Sequence, residues 1–103
     1  MKIYNISQQT NEDFPFSVEQ VEMNGIFPEH AHSYTELIVI LDGSGFHTSS
    51  NGRYLLQKGS VITVPPPLAH QMEDMIHLNL YVLKFDLSKL ISLDYELKND
   101  PGF

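Results

Sequence analysis

Apolar and polar residues alternate along much of this chain, with a period near two. From Phe14 to Met23 the alternation is partial: Phe16 and Val18 fall on one parity, Val21 and Met23 on the other. This predicts a strand with a bulge near Glu19-Gln20. Asn24-Gly25 reads as a turn, and Pro28 favours extended backbone over helix. Between Gly25 and Gly43 lies Phe27-Pro28-Glu29-His30-Ala31-His32-Ser33-Tyr34-Thr35-Glu36, followed by the apolar run Leu37 to Leu41. Successive side chains of a strand point to opposite faces, so an extended segment puts His30, His32, Tyr34, Glu36, Ile38 and Ile40 on one side. Residues 35 to 40 are rich in β-branched types, which favours strand.

Further on, Asp42-Gly43-Ser44-Gly45 reads as a turn. Phe46 to Ser50 and Tyr54 to Gln57 flank Asn51-Gly52, a signal for a type I′ hairpin. Lys58-Gly59 turns into the strand Ser60 to Val64, which Pro65-Pro66-Pro67 must end for want of amide donors. The last strand spans Leu78 to Phe85. Its odd face carries His77, Asn79, Tyr81, Leu83 and Phe85, and its even face Ile76, Leu78, Leu80 and Val82; parity alone leaves open which looks inward. From Asp86 the period changes: Leu87, Leu90, Ile91 and Asp94 follow helical spacing, with Asp86 or Ser88 as N-cap. Together these segments predict an all-β sandwich or barrel of about eight strands with a short C-terminal helix. Residues 1–13 form an arm or edge strand, 14–85 the barrel and 86–103 a helical extension.

Composition narrows the function. The 103 residues make one domain with enough surface for a single core. The net charge is −7, from 13 acidic and 6 basic residues, and Arg53 is the only arginine. Binding a phosphate backbone needs clustered lysines or arginines, so this segment is not expected to grip nucleic acid. There is no cysteine, which excludes disulfides and thiolate metal sites and fits a cytoplasmic location. The N-terminus lacks the apolar core of a signal peptide, and no run is long enough to cross a bilayer.

The candidate chemistry lies in the histidines. His30, His32 and Glu36 share a predicted face, and His70 follows the proline run. Three imidazoles and a carboxylate suit a divalent Zn, Ni, Mn or Fe ion. The same groups also suit a metal-free wall of donors and acceptors for the hydroxyls of a polyol. Tyr34 either packs in the core or stacks on a ligand ring. His47 is either an exposed hairpin residue or a pocket lining. Asn79 and Tyr81 contact a ligand if the odd face looks inward, and are surface residues otherwise. Arg53 reads as a solvated hairpin charge and Asp74 as a loop residue. Leu87, Leu90, Ile91 and Leu93 form a helix face that packs on the barrel or on a second subunit.

The spacing of these residues resembles the paired motifs of the cupin superfamily. Three residues separate His32 from Glu36, and six separate Glu36 from Gly43. Gly59, Pro65 and His70 fall on the second motif, where Pro67 replaces a glycine and Asp74 an asparagine. The resemblance implies a double-stranded β-helix, or jelly-roll barrel. Phe27-Pro28-Glu29-His30-Ala31-His32, Glu36 to Ile40, Gly43-Ser44-Gly45, Asn51 to Tyr54 and Lys58-Gly59 look further like the N-terminal sensing domain of AraC-type regulators. His30-x-His32, Gly43-x-Gly45-x-His47, Leu78-Asn79-Leu80 and Pro101-Gly102-Phe103 are similar to the rhamnose-operon members.

That resemblance implies a small-molecule effector, a monosaccharide by class, bound by His30, His32, Tyr34, Glu36, His47, His70, Asn79 and Tyr81. It implies a homodimer that meets DNA only through a C-terminal helix-turn-helix domain absent from this chain. It requires no cofactor. The alternative is a small metal-dependent cupin enzyme, a dioxygenase or isomerase, using His30, His32, Glu36 and His70.

Overall fold

A computed structural model of the chain describes residues 2–4 and 16–88. Six strands stand among the described residues: β1 (Lys2–Tyr4), β2 (Phe16–His32), β3 (Thr35–Ser49), β4 (Gly52–Leu56), β5 (Val61–Val64) and β6 (His70–Phe85). Strands β2, β3 and β6 run on through places where the sequence reads as a turn or loop. Asn24-Gly25 lies inside β2, Asp42 to Gly45 lies inside β3, and residues 70–77 belong to β6. His70 and Asp74 are thus strand residues, not loop residues. The strand order is β1-β2-β6-β3-β4, with β5 on the other edge of β3. The long strands pair antiparallel, while β1 runs parallel to the end of β2.

The three long strands bend at one level. The β2–β6 register shifts between Met23 and Gly25, opposite Leu78 and Met75. The β3–β6 register shifts between Ile40 and Ser44, opposite Leu80 and Ile76. Within β6, Asp74 and His77 have φ of 52° and 45°, the left-handed region. The bulge expected near Glu19-Gln20 therefore lies further on; residues 16 to 23 pair without a shift. Gly43 (φ 85°) is required at the bend, because a Cβ there would overlap the His77 carbonyl. The His77 amide is held from the other side, donating to Asn24 Oδ1 at 2.8 Å. Bulges bend a strand and increase its twist, and aligned bulges fold the whole sheet over itself.

Inside the fold lie Ile38, Ile40, Leu56, Val64, Met72, Met75, Leu78, Leu80 and Val82. Leu78, Leu80 and Val82 are consecutive even positions of β6, so from Leu78 on the even face looks inward and the odd face outward, whereas Ile76, on the other side of His77, is 62% exposed. The hairpin β3–β4 forms where Asn51-Gly52 predicts it, but Ser50 and Asn51 occupy its tip. The positive φ falls at Gly52 alone, 128°, in place of two central residues as in type I′. Leu87 and Ser88 have helical backbone. The rest of the expected C-terminal helix, and most of the expected arm, lie outside the described residues.

Candidate functional site: an imidazole cluster facing a cavity

Most of β2, the start of β3 and both ends of β6 converge on one cavity of about 450 Å³. Its apolar lining comes from Val21, Met23, Phe27, Ile38, Met72, Leu80 and Val82, and its polar lining from His30, Tyr34, Glu36, His70 and Lys84, with Glu19 and Glu22 also present. This volume and this mixture of apolar walls and a few convergent polar groups are those of a small-molecule site.

His30 and His70 are direct cross-strand partners, and their rings lie 4.2 Å apart. His30 is held from behind by Phe27, whose ring is 4.1 Å away. The His30 Nδ1–H donates to the Pro28 carbonyl at 2.8 Å, which leaves Nε2 as an acceptor. Ser33-Tyr34 turns the chain from β2 into β3, and the Tyr34 carbonyl returns to His32. His32 Nδ1 is 2.7 Å from that oxygen, and the Tyr34 ring stacks on the imidazole at 4.3 Å. A carbonyl only accepts, so His32 carries its proton on Nδ1 and a lone pair on Nε2.

The next links follow from that assignment. His70 Nε2–H donates to His32 Nε2 at 3.2 Å, and His70 Nδ1 accepts from His47 Nε2–H at 2.9 Å. One set of tautomers thus satisfies a buried chain from His47 through His70 and His32 to the Tyr34 carbonyl. Burial pushes the pKa of all three imidazoles down, that of His70 to about 3, where neighbouring histidines add to the effect. His30 is lowered too, by burial first and by Lys84. At neutral pH the cluster is uncharged.

Glu36 stands apart from this chain. It is only 7% exposed, and its Oε2 lies 3.8 Å from His32 Nε2. It makes no side-chain hydrogen bond with any described residue. Burial raises its pKa from 4.5 to about 7 against the opposing pull of Lys84. The carboxyl is thus poised between its acid and its anion, facing the cavity.

Not every expected site residue meets here. Of the four expected metal ligands, three come together: donor atoms of His32, Glu36 and His70 lie within 4.8 Å of one another. His30 is outside this group, since the Pro28 carbonyl anchors its ring. His47 is neither an exposed hairpin residue nor a cavity wall; it is 3% exposed and sits behind His70. Asn79 and Tyr81 lie on the outer face. Asn79 accepts a hydrogen bond from Gln20 at 3.2 Å, and Tyr81 is 39% exposed. Arg53 is not simply solvated: it lies 3.6 Å over the Phe46 ring and pairs with Glu73 and Asp74 at 2.9 and 3.2 Å. The sequence reading passed over Lys84 and the apolar wall. The signal for Lys84 was present, as a lone charge continuing the apolar series Leu78, Leu80, Val82.

The donor set fits a divalent ion. Two imidazole nitrogens 3.2 Å apart match the span across one tetrahedral ion with bonds of about 2.0–2.1 Å, and a carboxylate is at hand. His32, Glu36 and His70 would hold it, and it would supply Lewis-acid polarisation of a bound ligand.

Comparisons with known proteins bear on the fold and the family. Residues 18–99 match the AraC-like ligand binding domain. The HTH-type transcriptional activator RhaS of Escherichia fergusonii is 25% identical over 79 residues, which cover 77% of this chain and 28% of that protein. The chain thus spans little more than a quarter of that relative's length. Among solved structures, a Cupin 2 conserved barrel domain protein from Salinispora arenicola superposes with a TM-score of 0.65 at 20% identity, covering 84% of this chain and 76% of that one. The DMSP lyase DddQ from Ruegeria pomeroyi gives 0.63 at 21% identity, covering 69% and 38%. These structural likenesses speak to the fold, a cupin barrel. The chain with its histidine-lined cavity belongs to the family of AraC-like ligand-binding domains.

Proposed function

We propose that this chain is the effector-sensing part of a longer AraC-type transcription regulator, and that its effector is a monosaccharide or a similar small polyol. The observation that carries the reading is Glu36, a buried carboxyl on the cavity lining with no side-chain hydrogen bond to any described residue. Beside it, the His30 ring also lines the cavity. Hydroxyl donors match the carboxyl, and the apolar lining, which includes Phe27, Met72 and Leu80, suits the C–H surface of a sugar ring.

The mechanism is a population shift. Strand β1 pairs with the backbone of His30 to His32, so an effector touching those side chains couples to the N-terminal segment. An effector that prefers one placement of that segment biases how two subunits of a homodimer present their DNA-binding halves. The DNA contacts belong to a C-terminal domain beyond this chain. Its place of action is the cytoplasm, and no described helix is long and apolar enough to cross a membrane. A thermal-shift panel of monosaccharides tests the reading. One or more sugars should raise Tm, and Glu36→Gln should reduce that shift. A panel in which no sugar or polyol stabilises the chain would sink it.

The cluster of His32, Glu36 and His70 favours one other reading, a metal-dependent cupin enzyme. Stoichiometric metal in protein purified without chelator, lost in His32→Ala, together with turnover of a small substrate, would establish it.

A further inference from the structure

We propose that His47, which lines no part of the cavity, is the positioning residue that lets His70 present its Nε2 lone pair to a divalent cation. In the resting chain His70 carries its proton on Nε2 and spends it on His32. Only His32 then has a lone pair in the gap, and that lone pair is already occupied. A cation shared by His32, Glu36 and His70 needs both Nε2 atoms as donors of electron pairs. His32 is ready, because the Tyr34 carbonyl keeps its proton on Nδ1. His70 becomes ready only when its proton sits on Nδ1, and a buried N–H there needs an acceptor. His47 Nε2, 2.9 Å away, is that acceptor.

The proton count balances. The His47 Nε2 proton passes to His70 Nδ1, His70 Nε2 gives up its proton, and His47 Nδ1 takes one up from solvent, so the imidazoles release none overall. His47 thereby acts on His70 as the Tyr34 carbonyl acts on His32. Outer partners of this kind fix the tautomer and orientation of a ligating histidine, and their loss weakens metal binding about 10- to 100-fold.

The test uses Zn2+ alone on the 103-residue chain, followed by competition with a chromophoric chelator and by long-range 1H–15N correlation spectra of the imidazoles. Metal-free protein should show His70 protonated on Nε2, and zinc-loaded protein should show it on Nδ1. His47→Leu should bind zinc about 10- to 100-fold more weakly, while His47→Gln, whose Oε1 accepts at similar reach, should stay within a few-fold of the parent. If His47→Leu does not fold, His47→Asn, too short to reach His70, takes its place. The proposal is overturned if the parent chain shows no saturable zinc binding. It is equally overturned if the leucine or asparagine variant binds as tightly as the parent, or if His70 keeps its Nε2 proton with zinc bound. None of these measurements uses an effector, so a failed sugar panel and a failure here are separate results.

Discussion

Glu36 of β3 and Lys84 of β6 are register partners across an antiparallel pair, and both project to the inner face of the barrel. Opposite charges so placed ordinarily hold each other ionised. Here burial dominates: the carboxyl rises to about 7 although the lysine pulls it down. Replacing Lys84 with Met removes that pull, so the Glu36 midpoint should move above its parent value. Titration of the Glu36 side-chain carbonyl carbon by NMR reads it directly, and an unchanged midpoint would mean that the lysine charge does not reach the carboxyl.

The same burial sets how stability depends on pH in the metal-free chain. His30, His32, His47 and His70 have folded pKa values below their unfolded value of 6.5. Their contribution is complete above 6.5 and fades as pH falls, for His70 down to about 3. Glu36 has the opposite sign. Its contribution is complete below 4.5 and fades as pH rises to about 7. Four histidines oppose one carboxyl, so the midpoint of urea unfolding should rise from about pH 5 to about pH 7. Glu36→Gln removes the opposing contribution and should make that rise steeper.

Two glycines with the same backbone conformation should respond differently to alanine. Gly25 has φ of 79° and open space around it, whereas at Gly43, with φ of 85°, a Cβ meets the His77 backbone. Gly25→Ala carries only the left-handed strain, about 1–2 kcal/mol. Gly43→Ala adds overpacking at the shared bend, about 1–3 kcal/mol more. Urea unfolding of both variants compares them, and equal losses would show that the bend yields easily.

Strand β1 covers the edge of β2 at His30 to His32. Deleting residues 1–4 should raise hydrogen exchange at residues 30 to 32 and leave the centre of β6 protected. Exchange that is unchanged at residues 30 to 32 would remove the link between the N-terminal segment and the site.

The outer face supplies a contrast. Tyr81 and Asn79 point away from the cavity, so Tyr81→Ala and Asn79→Ala should leave effector-induced thermal shifts within experimental scatter, while His30→Ala should diminish them.

The sequence by itself determined the strand character, the β3–β4 hairpin around Asn51 and the family, whereas a bend at Ser33-Tyr34 divides the expected single face of His30 to Ile40 between β2 and β3. The strand character, the hairpin and the family rest on period, on turn chemistry or on spacing, which are local properties of the chain. Only the tertiary structure decided that Gly25 and Gly43 bend continuous strands where turns were expected. A left-handed glycine serves a turn and a bulge alike, and the neighbouring strand selects between them. Tertiary structure also put His47 behind His70, turned Asn79 and Tyr81 outward and brought Lys84 opposite Glu36. Those outcomes follow from the register of β6 against β2 and β3, a relation between residues more than twenty positions apart that no local pattern encodes. The parity of a strand says which residues stand together; the layer packed against it says which side is the inside.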